Sequence, residues 1–307
     1  MHFIGVLNRN GGTLRTMDID AFCAEATDIF SRHGHTLDCR AVEGDDLIEA
    51  LEKAAAEEGA DAILAGGGDG TISAAADIAF RTGTPLAVLP AGTMNLFARA
   101  LHMPLDLTEA LEAIAGGELF SVDIATANDR PFVHQFSVGI HTRLVRIREG
   151  LVYKSRIGKI AASLRAVSAA IVNPPRFSVE IVTPRGTERR EASGISISNN
   201  LFAEGHIPHA DVLDRGVLGV YLARPMTTGE LLRLCLGVFS GRWKDNPFVT
   251  EREVTGITLN FPRRRRSDQA VVDGELIRLE RTVRLQIHPG ALRVVAPKPE
   301  REEAAAA

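Results

Sequence analysis

Gly66, Gly67 and Gly68 run directly into Asp69, Gly70 and Thr71, between an apolar strand pattern over 61–65 and a helical pattern that begins at Ile72. Glycines at a strand end leave no side chains between backbone and ligand, and a helix opening there presents N–H groups to a phosphate. Asp69 would repel that phosphate unless a cation lay between them, so the loop points to a magnesium nucleotide. A tight turn whose Asp caps the helix would use the same residues. Two other polar turns end apolar strands: Asn8-Arg9-Asn10-Gly11-Gly12 after Phe3 to Leu7, and Pro90-Ala91-Gly92-Thr93-Met94-Asn95 after the strand over 85–89. The Thr93 hydroxyl and the Asn95 amide could bind phosphate oxygens or brace a loop. Far along the chain, Asp273-Gly274-Glu275 sets two carboxylates around a glycine. One could accept a hydroxyl proton while the other orients it or a metal, although the same residues also suit an ordinary β-turn.

The remaining polar clusters carry less. His206, His209 and Asp211 have a spacing that could hold a metal, but no fourth ligand is in view and surface or turn histidines are the better account. His134 and His141 read as packed or exposed rather than catalytic. Cys23, Cys39 and Cys235 are odd in number and lack metal-ligand spacing, so buried reduced thiols are expected. Arg263 to Arg266 form a positive patch suited to solvent, acidic lipid or phosphate. No aromatic residues interleave them, which argues against nucleic acid.

The elements that must position these residues follow from periodicity. Helical patterns over 18–32 and 45–57 alternate with strands up to the glycine loop, and the alternation repeats through Leu96 and the helix over 107–115. Strand, helix, strand in this order calls for an open parallel sheet covered on both faces, with ligands gathered beyond the carboxyl ends of the strands. Asn8, Asp69 and Thr93 all lie at such ends. After Phe120 short strand candidates dominate, with helical pattern surviving over 156–171 and 228–240. The division expected is an α/β nucleotide-binding domain over 1–123 and a β-sandwich substrate domain over 124–298, whose last segment can pack back on the first. The tail from Pro297 should fray.

Composition narrows the class. Of 307 residues, 45% are hydrophobic and 24% charged, and the formal charge is −4, which gives no global case for nucleic acid. No apolar run is long enough to span a bilayer and the first residues do not resemble a signal peptide, so a cytoplasmic location is expected. The chain has no G-x-S-x-G elbow, no H-E-x-x-H helix and no Walker lysine after its glycines.

Taken together and in order, Gly67-Gly68-Asp69-Gly70-Thr71, then Pro90-Ala91-Gly92-Thr93-Met94-Asn95-Leu96-Phe97-Ala98-Arg99, then Asp273-Gly274-Glu275 resemble the diacylglycerol kinase catalytic domain family. That family comprises lipid kinases and includes sphingoid and ceramide kinases and many bacterial soluble lipid kinases. The stretch 8–12 looks like its opening Asn-Pro-x-x-Gly segment with Arg9 in place of proline, and 153–159 is similar to the basic stretch that leads into its lipid-domain helices. The resemblance implies an N-terminal α/β domain of the NAD-kinase and phosphofructokinase type, a C-terminal β-sandwich, and nucleotide between them. It implies that Asn8, Gly67, Gly68, Asp69, Gly70, Thr71, Gly92 and Thr93 line ATP, that Asn95 shapes the same loop, and that Asp273 is the general base with Glu275 in support. Magnesium would lie at Asp69, with a structural metal at Asp214. Two positions depart from the pattern: Leu96 stands where the family often has Asp, and Arg215 replaces the second carboxylate of the metal segment.

The function expected on that basis is ATP-dependent phosphorylation of a lipid hydroxyl, most simply that of diacylglycerol. The partners expected are a lipid substrate and a transient peripheral contact with the inner membrane surface through basic residues, with no nucleic acid. A homodimer is compatible, since no sustained heptad decides the oligomeric state. A small-molecule kinase of the same ancestry and a non-catalytic nucleotide- or lipid-binding module are the alternatives. A deep apolar channel in the second domain would favour the lipid kinase.

Overall fold

The structure, a computed structural model, describes residues 1–150, 174–184, 186–244 and 246–297. The expected helix over 156–171, the basic stretch 153–159 and the tail beyond 297 lie outside those residues. The chain divides into two compact units, one of Met1–Val122 with Gly290–Ala307 and one of Asp123–Pro289.

The first unit is the open α/β sheet. Strands β1 (His2–Asn8), β2 (Thr36–Val42), β3 (Ala62–Gly67) and β4 (Leu86–Pro90) alternate with helices α1 (Ile19–Arg32), α2 (Leu47–Ala56) and α3 (Asp69–Thr82). They pair in parallel in the order β2-β1-β3-β4. Central strands β1, β3 and β4 are buried along their apolar residues, as a sheet covered on both faces requires. α1 begins where the Asp18 side chain accepts the Ala21 N–H, and its Phe22, Ala26, Ile29 and Phe30 face the core. α4 (Leu96–Ala100) and α5 (Leu107–Ala115) complete the unit, α5 being capped by Asp106. Beside β4 runs the end of a strand from much later in the sequence: Val294 and Val295 pair in parallel with Leu86 and Ala87. Both valines are buried, and full burial of a side chain of this size stabilises by about 1.5–3 kcal/mol.

One expectation about this unit is corrected. Cys23 and Cys39 are joined in a disulfide with their Cα atoms 5.6 Å apart, and Cys235 is a free thiol. An odd count excludes only complete pairing; α1 returning directly into β2 brings together two cysteines 16 residues apart that no motif links.

The second unit is the β-sandwich. One sheet runs β12 (Val249–Val254), β11 (Leu218–Ala223), β10 (Gly194–Asn199), β7 (Gln135–Gly139), β14 (Gln269–Val272) and β15 (Glu275–Arg278), antiparallel throughout. The other contains β9 (Gly186–Ala192), β8 (Phe177–Thr183), β13 (Gly256–Asn260) and the first part of β16 (Thr282–Ala296), with β5 (Glu118–Ala127) paired to β6 (Arg130–Phe132). Phe136, Val138, Ile195, Ile197 and Val220 from the first sheet meet Val179, Ile181, Ile257, Leu259 and Leu285 from the second in one core. The helix expected over 228–240 is α7 (Thr228–Phe239), opened by a capping box between Thr227 and Glu230. Another helix, α6 (Ile140–Gly150), and strands β9 and β12 stand where no pattern announced them. β9 is polar along nearly its whole length and is held by its ladder with β8.

Candidate functional site

The three polar turns of the first unit form one braced structure. β1, β3 and β4 are neighbours, so their carboxyl ends deliver the loops at 8–13, 67–71 and 90–95 side by side. Asn8 Nδ2 donates to Thr71 Oγ1 at 3.1 Å, and Asn8 Oδ1 accepts the Asn10 N–H. The Ala91 N–H donates to the Gly67 carbonyl at 3.0 Å, and the Thr13 N–H to the Ala91 carbonyl at 2.9 Å. Asp69 is the central tie: its two carboxylate oxygens accept the N–H groups of Asn95 at 3.1 Å and Leu96 at 2.7 Å. Asn95 in turn accepts the Gly92 N–H on Oδ1 at 2.8 Å and donates from Nδ2 to the Gly92 carbonyl. Its left-handed backbone, φ 51°, is one that Asn adopts more readily than other side-chain-bearing residues.

Glycine is required here by contact. A Cβ on Gly92 would stand 2.5 Å from Gly68 Cα, and one on Gly67 would meet the Thr71 side chain at 2.5 Å. α3 starts from Gly68 with no side-chain cap, and Gly70 in its first turn and Thr93 in the third loop are both exposed. An uncapped helix N-terminus over a glycine floor is a surface that accepts phosphate oxygens.

In the second unit Asp273 and Gly274 form the two-residue turn between β14 and β15, with φ 46° and 86° and Val272 paired to Glu275. Two positive φ values in a two-residue loop are what the twist of a hairpin selects, and Asp-Gly supplies them. The Asp273 side chain is buried and accepts three backbone N–H groups, from Val133, His134 and Gln135, each at 2.9 Å. The Asp273 N–H returns to the Gln135 carbonyl at 3.0 Å. Asp273 therefore clamps the chain where it enters β7. Glu275 points elsewhere: it is exposed and paired with Arg130 Nη2 at 2.5 Å.

Sequence reasoning missed the segment that Asp273 holds. His134 is half-buried there, and desolvation, helped by nearby His141 and His209, pushes its imidazole down to about 3, so it is neutral at physiological pH. Asn199, also buried, donates to the carbonyls of Asp123 and Val133. Only a pattern of buried polar residues across distant strands could have signalled these.

At the expected metal position, Arg215 stands beside Asp214 in place of a second carboxylate. Asp214 is exposed, and the Arg215 guanidinium turns to Glu253 at 3.4 Å. The Arg215 N–H donates to Asn200 Oδ1 and the Gly216 N–H to Asp123 Oδ2. Among the described residues, the potential ligand groups of three or more His, Cys, Asp or Glu come down to His206, His209 and Asp211. Arg263, Arg264 and Arg265 of the expected positive patch line one cavity of about 680 Å³ together with Arg143, Arg146 and Arg176, and Phe177, Phe261, Glu191 and Asp268 share its wall.

Residues 2–127 match the diacylglycerol kinase catalytic domain, and residues 144–296 match the YegS C-terminal NAD kinase β-sandwich-like domain. An uncharacterised protein of Synechocystis is 30% identical over 253 residues, which cover 78% of this chain and 56% of that protein. A diacylglycerol kinase of Staphylococcus saprophyticus is 37% identical over 103 residues, 33% of each chain. These matches span about half or less of the relatives' own lengths. A crystal structure of a diacylglycerol kinase from Bacillus anthracis shares the fold, with a TM-score of 0.71 over 96% of both chains at 16% identity.

Proposed function

We propose that this chain, whose two parts match a diacylglycerol kinase catalytic domain and a YegS-type β-sandwich-like domain, transfers the γ-phosphoryl group of ATP to a lipid hydroxyl, with diacylglycerol or a related lipid as acceptor. One observation carries the reading: three strand-end loops are tied to one another around an uncapped helix N-terminus, with glycines where a Cβ would close the space.

In this reading Gly67, Gly68, Gly70 and Gly92 let backbone approach the phosphates, while Thr71, Thr93 and Asn8 supply polar side chains. Asp69 and Asn95 keep the loops in register, so the N–H groups meet developing charge without rearranging. Bound Mg²⁺-ATP would supply the phosphoryl group and neutralise its charge, the cation lying near Asp69, whose carboxylate is oriented by two amides. Asp273 would take the hydroxyl proton, its three amide bonds fixing where its oxygens lie. Glu275 would support it only indirectly, through the Arg130 pair at the end of the same turn. The arginine-lined cavity with its two phenylalanines suits the headgroup region of an anionic bilayer, so transient attachment to a membrane belongs to the proposal.

The test is a phosphotransfer assay with labelled ATP and extracted lipids presented in vesicles, followed by identification of the labelled product. A labelled phospholipid supports the reading; label found only in a water-soluble acceptor overturns the lipid and favours a small-molecule kinase.

A further inference from the structure

The loop of residues 200–217 between β10 and β11 carries His206, His209 and Asp211, which the phosphotransfer reading leaves without a role. Their ligand atoms all lie within 4.8 Å of one another. His206 Nε2 is 3.0 Å and His209 Nε2 is 3.6 Å from the same Asp211 oxygen, Oδ1. Two ligands on a tetrahedral zinc ion, with bonds of about 2.0–2.2 Å, sit about 3.4 Å apart, and the two distances bracket that separation.

The tautomers are fixed by the loop itself. Nδ1 of His206 and Nδ1 of His209 each lie 2.8 Å from the Ile207 carbonyl oxygen. A carbonyl only accepts, so both Nδ1 atoms carry the proton. In a neutral ring the lone pair then sits on Nε2, and on His206 and His209 alike that atom faces the Asp211 carboxylate. Lone pair against anion is repulsive, so a positive centre belongs between them. A proton on one imidazole would satisfy that ring alone, and the two rings are stacked with centroids 3.8 Å apart, so two imidazolium ions face to face would repel. A single divalent ion satisfies all three groups at once. Histidines that donate Nδ1–H to a carbonyl while offering Nε2 are the usual arrangement behind a metal ligand.

We propose that His206, His209 and Asp211 bind a divalent transition metal, with Zn²⁺ the best fit. Two imidazoles and one carboxylate suit zinc, whereas magnesium and calcium take oxygen ligands. Three protein ligands leave a fourth position for water, on the side where Asp211 is partly exposed. His209 is buried, and its carbonyl accepts the Ala203 N–H at 2.8 Å, so the ion would anchor a loop that already folds back on itself.

Tag-free protein, stripped with chelator and dialysed, is titrated with Zn²⁺ by calorimetry and with Co²⁺ by visible absorption. The expected result is one Zn²⁺ per chain, the intense visible band of four-coordinate cobalt, and a rise in melting temperature with zinc. His206→Gln and Asp211→Asn change partly exposed side chains; each should weaken zinc binding by about 100-fold, at or beyond the top of the range for outer-shell partners. His33→Gln, at an exposed histidine paired with Glu112 in the other unit, should leave the affinity unchanged. No stoichiometric binding by the wild type overturns the proposal. So does an affinity that survives both ligand variants, or one that falls equally in His33→Gln.

Discussion

The dipeptide Asp-Gly stands at 69–70 and again at 273–274, once in each unit, and the two copies are used differently. Asp69 opens a right-handed helix and Gly70 lies exposed beside it; Asp273 takes the left-handed conformation of a hairpin turn and Gly274 completes it. Yet both carboxylates do the same physical work, accepting N–H groups from a distant piece of backbone: 26 and 27 residues away for Asp69, 138 to 140 for Asp273. The first tie joins two loops at one sheet edge and leaves a helix end open for a ligand. The second closes a turn around a buried segment. An Asp-Gly motif therefore signals backbone organisation at least as strongly as proton transfer, and proton transfer has to be tested against it.

Asp273→Asn is the sharpest such test. The amide keeps the volume but turns an N–H₂ toward backbone donors, and a hydrogen bond to a charged group stabilises by about 1.5–3 kcal/mol. A base that is also a clamp predicts turnover lower by about 10²- to 10⁴-fold together with a clear fall in melting temperature, while ATP affinity persists. Kinetics, calorimetry and thermal melting on one preparation decide this; near-normal turnover in a less stable protein would leave Asp273 a clamp alone.

Asp69→Asn should have the next largest effect. One of its two amide contacts becomes donor against donor, so the loops lose register and Mg²⁺-ATP binding should weaken by about 10- to 100-fold, read by calorimetric titration. Unchanged affinity would remove Asp69 from the nucleotide site.

The glycines separate contact from conformation. Gly92→Ala drives a methyl into Gly68 and should impair nucleotide binding while destabilising by about 1–3 kcal/mol. Gly274→Ala meets nothing within 4 Å, so only its positive φ opposes the change, at about 1–2 kcal/mol, and nucleotide affinity should hold. Denaturant melts with parallel ATP titrations distinguish the two. Smallest of all is Glu275→Gln: its pair with Arg130 is solvent-exposed, so stability should move by less than about 1 kcal/mol. A large loss of turnover there would restore Glu275 as a direct participant.

What was legible in the sequence follows the same line between near and far. The α/β order up to α5, the three strand-end turns and the change of texture after Phe120 are short-range patterns, and the observed elements lie within a few residues of them. β9 was not legible because Glu188, Arg189, Arg190 and Glu191 give no alternation, and pairing with β8 alone makes them a strand. The disulfide and the clamp on 133–135 depend on where the folded chain returns. Asn8, Asp69 and Asn95 were found as polar residues at strand ends, but that Asn8 bonds Thr71 and Asp69 bonds the backbone of Asn95 is information held only in three dimensions.

The last residues of β16 have a consequence for synthesis. Residues 290–296 belong to the first unit, yet the ribosome makes them only after the whole of 123–289. The β-sandwich has most of its chain in hand while the earlier sheet still shows the bare flank of β4 to the cell. That flank, apolar and unpaired, is a template for a stray strand from another molecule. Nascent chains halted before Leu292 should thus be the aggregation-prone species and the natural clients of chaperones, and emergence of 290–296 covers that flank of β4.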